Sequence, residues 1–293
     1  MKSPIVIFGF NRPDAFEAMA ASLRRNPSFD ERDIFVFIDG QRSEQEKDKV
    51  DAVEALAKRL TENVFRSQTN RGLAASVISG VTQVINRYGT AIVIEDDLIL
   101  MPGFLPYIDA ALEKYQSDER IFSVCGYGLK INKPQNYDSD VYLGIRSSSW
   151  GWATWKDRWD SVDWKVADWE QLKNSAKMQR AFNKGGSDMY NMLKDFMEGR
   201  NKSWAIRFCY SQFRQKKYSI HPFRSLIANE GFGMDATNCQ QKYSRFKVDL
   251  NENLSPLNLS DNLQIDQRIL KMNARYHSLS LRLYSWIRRK LNI

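Results

Sequence analysis

Residues 90–104 read TAIVIEDDLILMPGF, which sets Glu95, Asp96 and Asp97 directly behind an apolar run. Three neighbouring carboxylates repel one another, and at least one pKa rises unless solvent, donors or a cation compensates. A solvated strand end makes that repulsion cheap. A divalent cation carrying an anionic substrate would instead put it to use. The chain has only two His, and its three Cys (Cys125, Cys209 and Cys239) form no CxxC pair, so zinc is not expected. Carboxylate oxygens suit Mn²⁺ or Mg²⁺.

The elements around the run favour the cation. Ile5–Phe10 is a strand candidate followed by Asn11-Arg12-Pro13 and a helix from Asp14 to Arg25, with Asp14 able to cap. Asp33–Ile38 is a second strand ending at Asp39-Gly40, and Ser43–Leu60 reads as a helix. Asn63–Arg66 leads through Asn70-Arg71-Gly72 to a helix over Leu73–Asn86, and Ala91–Ile94 is the fourth strand. Strands alternating with helices predict an α/β fold with a mostly parallel twisted sheet. Ligands of such sheets gather beyond the carboxyl ends of the strands. Three polar clusters fall there: Asn11/Arg12, Asp39/Gly40 and Glu95/Asp96/Asp97. No GxGxxG follows the first strand and no GxxxxGK[ST] occurs, so a phosphate ligand needs another source of positive charge. A cation on Asp97, helped by Arg12 or Arg71, supplies it.

Further along, Phe104–Lys114 predicts a helix, and Ile121–Cys125 and Tyr137–Gly144 predict strands. Residues 147–160, SSSWGWATWKDRWD, carry four Trp. They could form a satellite core or the wall of a sugar cleft, since an indole stacks on a sugar ring. Gly151 lets the backbone between Trp150 and Trp152 approach a neighbour closely. Residues 169–201 read as helical pieces broken at Gly185-Gly186, Ser203–Phe208 as a strand, and Tyr210–Gln215 as a helix. The loop-rich residues 221–239 are either a surface excursion or a segment that closes over a cleft.

In order and spacing, PIVIFGFNR (4–12), FIDG (37–40), NRGL (70–73), EDDL (95–98) with PGF (102–104), and WGW (150–152) resemble glycosyltransferases of the GT-A superfamily. Within it they specifically resemble the inverting N-acetylglucosaminyltransferase I type together with bacterial family-2-like transferases of surface polysaccharide synthesis. The resemblance covers the first half of the chain and weakens beyond it. It implies a nucleotide-sugar donor, UDP-linked in the first instance. Phe10, Asn11, Arg12 and Asp39 would lie along the nucleoside, Asp96 near the ribose beside Glu95, and Asp97 on the metal bridging the diphosphate. Arg12 and Arg71 are eligible phosphate helpers, and Trp150, Gly151 and Trp152 would border the donor or acceptor sugar. The run is Glu-Asp-Asp rather than Asp-X-Asp, a form the resembled subgroup uses. Inverting displacement needs a carboxylate near the acceptor hydroxyl, and the resemblance sets it at a helix start downstream of the Trp-rich loop. Asp188 fits, with Asp235, Asp157 and Asp160 as rivals; its other reading is a helix cap. The competing functions are a metal-dependent nucleotidyl- or phosphoryl-transfer enzyme and a noncatalytic carbohydrate-binding protein.

Composition is that of a folded protein, 43% apolar and 27% charged over 293 residues. No apolar run is long enough for a signal peptide or a membrane span, so a cytoplasmic body is expected. The net charge of +8 is local: residues 268–293 contribute +7 with no Asp or Glu. That tail mixes cations with Leu, Tyr, Trp and Ile, a pattern suited to the anionic inner face of a membrane, where a lipid-linked saccharide could be the acceptor. Nucleic acid fits less well, because the charge lies outside the expected cleft. The expected organisation is one catalytic domain over 1–267, with a nucleotide-binding part to about 125 and an acceptor-side part over 126–267. A basic amphipathic helical extension over 268–293 follows.

Overall fold

The computed structural model describes residues 2–230, 245–248 and 255–291. The first four apolar runs become β1 (Ile5–Gly9), β2 (Ile34–Ile38), β3 (Val64–Arg66) and β4 (Thr90–Glu95). Between them stand α1 (Pro13–Arg24), α2 (Lys47–Lys58) and α3 (Leu73–Tyr88). Helix α1 starts one residue earlier than expected. Pro13 fills its first position, where a missing N–H costs nothing, and Asp14 falls inside the first turn rather than capping it.

A turn at Asp96-Asp97 leads into β5 (Leu98–Leu100), α4 (Phe104–Lys114), β6 (Ile121–Cys125), β7 (Val141–Gly144) and β8 (Trp152–Trp155). Five helices follow: α5 (Lys156–Asp160), α6 (Trp169–Lys173), α7 (Ala176–Phe182), α8 (Met189–Met197) and α9 (Trp204–Arg214). The strand expected over Ser203–Phe208 is therefore the start of a helix. Ser203 caps it, its hydroxyl accepting from the Ile206 N–H at 3.3 Å. Trp204, Ile206 and Phe208 alternate at the start of α9, and over so short a stretch that alternation reads as a strand. The chain closes with β9 (Tyr218–Pro222), β10 (Ile227–Asn229), α10 (Gln267–Tyr276) and α11 (Leu279–Leu291).

Eight strands form one sheet in the order β3-β2-β1-β4-β8-β6-β9-β7, while β5 and β10 pair separately. Four of the pairings are parallel and three, around β8 and β7, are antiparallel. The result is an α/β fold, with a Rossmann-like parallel half joined to a mixed half. Strands β1, β2 and β4 have helices on both faces, which is why they read as continuous apolar runs. On one face Ile5, Ile7, Val36, Ile92 and Ile94 pack with α1, α2 and α4. On the other, Val6, Phe8, Phe35 and Val93 pack with α3 and α9.

Trp152 belongs to that second core, which corrects its expected place beside a sugar. Its side chain is fully buried, stacks on Trp204 with centroids 5.1 Å apart, and meets Phe208 and Trp159. Gly151 has φ +53°, and a Cβ there would collide with Ile227. Its flexibility brings β10 against the sheet and turns the preceding Trp150 out of the core. Trp152→Ala should lower stability to urea by about 3–5 kcal/mol, and Trp150→Ala by well under half of that. Equal small losses would show that Trp152 is not a core residue.

Candidate functional site

Because β1 and β4 are parallel neighbours, with Phe8 opposite Glu95, both strands deliver their next residues to one place. The Arg12 guanidinium lies across the acidic turn. Its Nη2 is bonded to Asp96 Oδ1, and its Nη1 donates to Asp97 Oδ2 at 3.2 Å. The Phe10 N–H donates to the other Asp96 oxygen at 3.1 Å. On the far side, pairing of β5 with β10 brings Asn229 to donate to Asp97 Oδ1 at 3.3 Å. The Glu230 N–H donates to the Asp97 carbonyl at 2.9 Å. Neither Asn229 nor Glu230 was legible as a site residue, because only the β5–β10 pairing joins them to the turn.

The turn remains over-supplied with negative charge. Burial, then Asp97 and Asp96, lift the Glu95 carboxyl to about 8. Burial lifts Asp96 to about 6, with Asp97 adding and Arg12 opposing. Burial works against the Arg12 cation, but the two aspartates outweigh it and its pKa rises. An oxygen-only donor set with unneutralised charge fits a hard divalent cation. Among the described residues no three His, Cys, Asp or Glu side chains converge to hold an ion by themselves. The fit is that of a half-site with one or two carboxylates, which an anionic substrate's oxygens would complete.

At the end of β2, Asp39 serves the backbone. Its Oδ1 accepts from Gly40 and Arg71 N–H at 3.0 and 2.8 Å, and its Oδ2 from Gly72 N–H at 2.7 Å. It thereby clamps the loop entering α3. The Arg71 side chain runs along α3 to Ser79 Oγ at 2.9 Å and is not brought to the carboxylate turn, which corrects its pairing with Arg12. Asn11 donates to Glu46 at 3.0 Å. Arg42, paired with Glu46 four residues on, lies 5.0 Å over the Phe10 ring. Arg42 and Glu46 thus border the site too, and their i, i+4 spacing was the available sign of them.

Beyond β6 and β8, at the same end of the sheet, Tyr127 and Trp150 meet edge to face at 4.7 Å. They form one wall of a cavity of about 300 Å³, closed by Arg146, Cys209 of α9, His221 of β9 and Asn273 of α10. Asp188 stands behind Arg146, which donates to its two oxygens at 2.8 and 3.4 Å. Asp188 occupies the N-cap position of α8 but makes no capping bond. Gly186 makes room for this pair, since a Cβ there would strike Arg146, Asp188 and His277. Burial raises the Asp188 pKa, but Arg146 and then Arg282 overcome it and hold the carboxyl low. His221 lies between the carbonyls of Arg146 at 2.9 Å and Tyr127 at 3.3 Å. Two acceptors on two ring nitrogens favour the doubly protonated imidazolium. Accordingly its pKa rises despite burial, with Cys125 the main cause.

Asp157 and Asp160 sit on α5 at the opposite end of the sheet, where Trp155 pairs with Thr90 at the start of β4. They are not brought to the site, and their rivalry with Asp188 is withdrawn. Asp235 and Cys239 lie outside the described residues.

No protein-family model matches the chain, and no curated protein matches it. Solved structures similar to it include the following two. One is GalNAc-T7 crystallised with UDP, GalNAc and Mn²⁺, at TM-score 0.49 and 11% identity over 78% of this chain and 43% of that one. The other is residues 1–349 of S. aureus TarS, at TM-score 0.41 and 11% identity over 75% of this chain and 58% of that one. The chain spans about half the length of these structures.

Proposed function

We propose that the protein is an inverting glycosyltransferase that moves a sugar from a nucleotide-linked donor, UDP-linked in the first instance, to a saccharide hydroxyl. One observation carries the reading: an acidic turn with uncompensated charge and an aromatic, polar cavity open at the same end of one sheet. Asp97, with Asp96 beside it, would hold Mn²⁺ or Mg²⁺. The ion supplies positive charge to a diphosphate leaving group. Arg12, freed from the aspartates, is within reach of the same phosphates. Phe10, Asn11 and the loop clamped by Asp39 line the nucleoside side. Trp150 borders the sugar, with Gly151 fixing its direction.

On the acceptor side Asp188 is the carboxylate proposed as base. It takes the proton of the acceptor hydroxyl as that oxygen bonds to the anomeric carbon, and the bond from that carbon to the diphosphate breaks with inversion. Arg146 keeps Asp188 ionised but lowers its basicity, so in this role Asp188 would exchange its bonds to Arg146 for the acceptor hydroxyl as it takes the proton. Asp235 remains the alternative base by sequence alone.

The test is nucleotide release from a panel of sugar nucleotides with Mn²⁺, with and without saccharide acceptors. Asp97→Asn should keep the fold and lower turnover by orders of magnitude, as loss of a transition-state interaction does. Asp188→Asn should lower turnover similarly and leave UDP binding unchanged. Undiminished turnover of Asp97→Asn with the same metal dependence would contradict the reading. Release of pyrophosphate or nucleoside monophosphate would favour nucleotidyl or phosphoryl transfer, and saccharide binding without turnover a noncatalytic role.

We also propose that α11 attaches the protein to an anionic membrane surface, on the inner face of the cytoplasmic membrane, where a lipid-linked saccharide is the acceptor. Six of the eight large apolar side chains exposed among the described residues lie on it: Leu279, Leu283, Tyr284, Trp286, Ile287 and Leu291. Arg282, Arg288 and Lys290 accompany them, and no acidic residue does. Among the described residues no helix is long and apolar enough to cross a membrane, so attachment would be peripheral. Protein lacking residues 279–293 should lose binding to phosphatidylglycerol vesicles, and the full chain should release them as salt rises. Equal binding by both proteins would end this proposal.

A further inference from the structure

Two polar atoms in the wall of the cavity beside Trp150, Asn273 Oδ1 and His277 Nδ1, are buried with no hydrogen-bond partner, and a third, Tyr142 Oη, stands beside them with the Asn273 side chain and the Leu129 backbone as its neighbours. They come from β7, α10 and the residue after α10. Native interiors leave few such groups unpaired, so their convergence marks a place where something else supplies the partners. The same wall presents aromatic surface. Trp150 stands edge to face with both Tyr127 and Phe246, at 4.7 and 5.7 Å. A volume of about 300 Å³ is at the lower end for small-molecule sites, enough for one sugar ring and its substituents. Polar atoms spaced around an aromatic wall match the alternating hydroxyls and apolar faces of such a ring.

The charge around the cavity is one-sided. Arg146 lines it, and Arg245 lies behind Phe246, 4.5 Å from the ring centre. Arg282 reaches Ser187 at 3.4 Å. Against these cations, among the described residues the wall contains no Asp or Glu, and Asp188 is the carboxylate paired with a lining residue. The crowding is felt: burial, with Arg282 and Arg146 adding, lowers the pKa of Arg245 despite Asp188. The same surroundings keep His277 neutral, its pKa driven down to about 3 by burial and then by Arg146. A neutral ligand would leave this imbalance in place, whereas an anionic one would relieve it.

We propose that this cavity is the acceptor subsite and that it takes a saccharide unit carrying an anionic group, a carboxylate or a phosphate. The proposal rests on the glycosyltransferase reading for the word acceptor, but not for the binding itself. Tyr142, Asn273 and His277 bond the ring substituents, Trp150 and Tyr127 cover an apolar face, and Arg146 with its neighbouring arginines offsets the charge. Helix α10 is then part of the binding site, which agrees with the burial of Ile269 and His277.

Saturation-transfer NMR titrations of the full chain would use glucose, galactose, N-acetylglucosamine, their 6-phosphates, glucuronate and inorganic phosphate, with UDP and Mn²⁺ titrated separately. At least one charged sugar should bind about tenfold or more tightly than its neutral parent and than inorganic phosphate. Whether glucuronate or a sugar phosphate does so identifies the anion. Asn273→Asp, which adds a negative charge to the wall, should weaken the charged sugar about tenfold or more and leave UDP binding unchanged. Tyr142→Phe, which keeps the shape, should weaken charged and neutral sugars alike. Equal binding of charged and neutral sugars, phosphate as tight as any sugar phosphate, or no sugar binding would each overturn the proposal. If UDP with Mn²⁺ still binds in such a case, the donor side of the proposed function stands and this inference alone fails. If charged sugars bind and UDP does not, the reverse holds.

Discussion

Two aspartates and a guanidinium share the space where β1 and β4 end. Packing β1 and β4 in the middle of the sheet forces their carboxyl ends together, and the sequence puts Arg12 on one and Asp96-Asp97 on the other. Without Arg12 the turn would bury like charges side by side, a situation that ordinarily resolves by protonation. The raised Glu95 and Asp96 pKa values show that one arginine does not fully resolve it. The turn is thereby kept folded yet short of positive charge, which is the condition under which a cation and an anionic ligand bind together rather than separately. In this account Arg12 holds the place of the ion and then turns to the ligand's phosphates.

The second half of the sheet answers the first. Strand β8 runs antiparallel to β4 with Trp152 opposite Val93, so Gly151 and Trp150 emerge beside the acidic turn. One residue separates a core indole from a cavity indole: in a continuous strand positions 150 and 152 would share a face, and the positive φ of Gly151 breaks the extended backbone and sends the two indoles apart. The cavity is then closed by elements far apart in the chain. Arg146 follows β7, Asp188 begins α8 and His277 follows α10, and they meet over Gly186, where no side chain intervenes. The basic carboxyl-terminal segment is thus divided in its work, α10 sealing the cavity and α11 presenting apolar and basic side chains to the surroundings.

Much of the donor side was legible from residue order, since strand ends and polar clusters coincide in sequence before they coincide in space. The acidic turn, Arg12 and the parallel half of the sheet all follow from that coincidence. What escaped was whatever depended on long-range packing. Asp39 was read as a ligand contact, yet besides the adjacent Gly40 N–H its oxygens hold two N–H groups of a loop more than thirty residues on. Trp152 and Trp150 look equivalent in sequence, and only the pairing of β8 tells them apart. The alternation of Trp204, Ile206 and Phe208 imitated a strand at the start of α9. Arg146, His221 and Asn273 carry no local motif at all, because their meeting is made by the mixed half of the sheet and by α10.

The cooperation of metal and nucleotide at the Asp96-Asp97 turn is tested most directly by titration calorimetry of UDP against the full chain, in Mn²⁺ and in EDTA. The account predicts that UDP binds at least about tenfold more tightly with Mn²⁺ present, since each ligand completes the charge balance of the other. UDP affinity that is the same with and without the metal would contradict it.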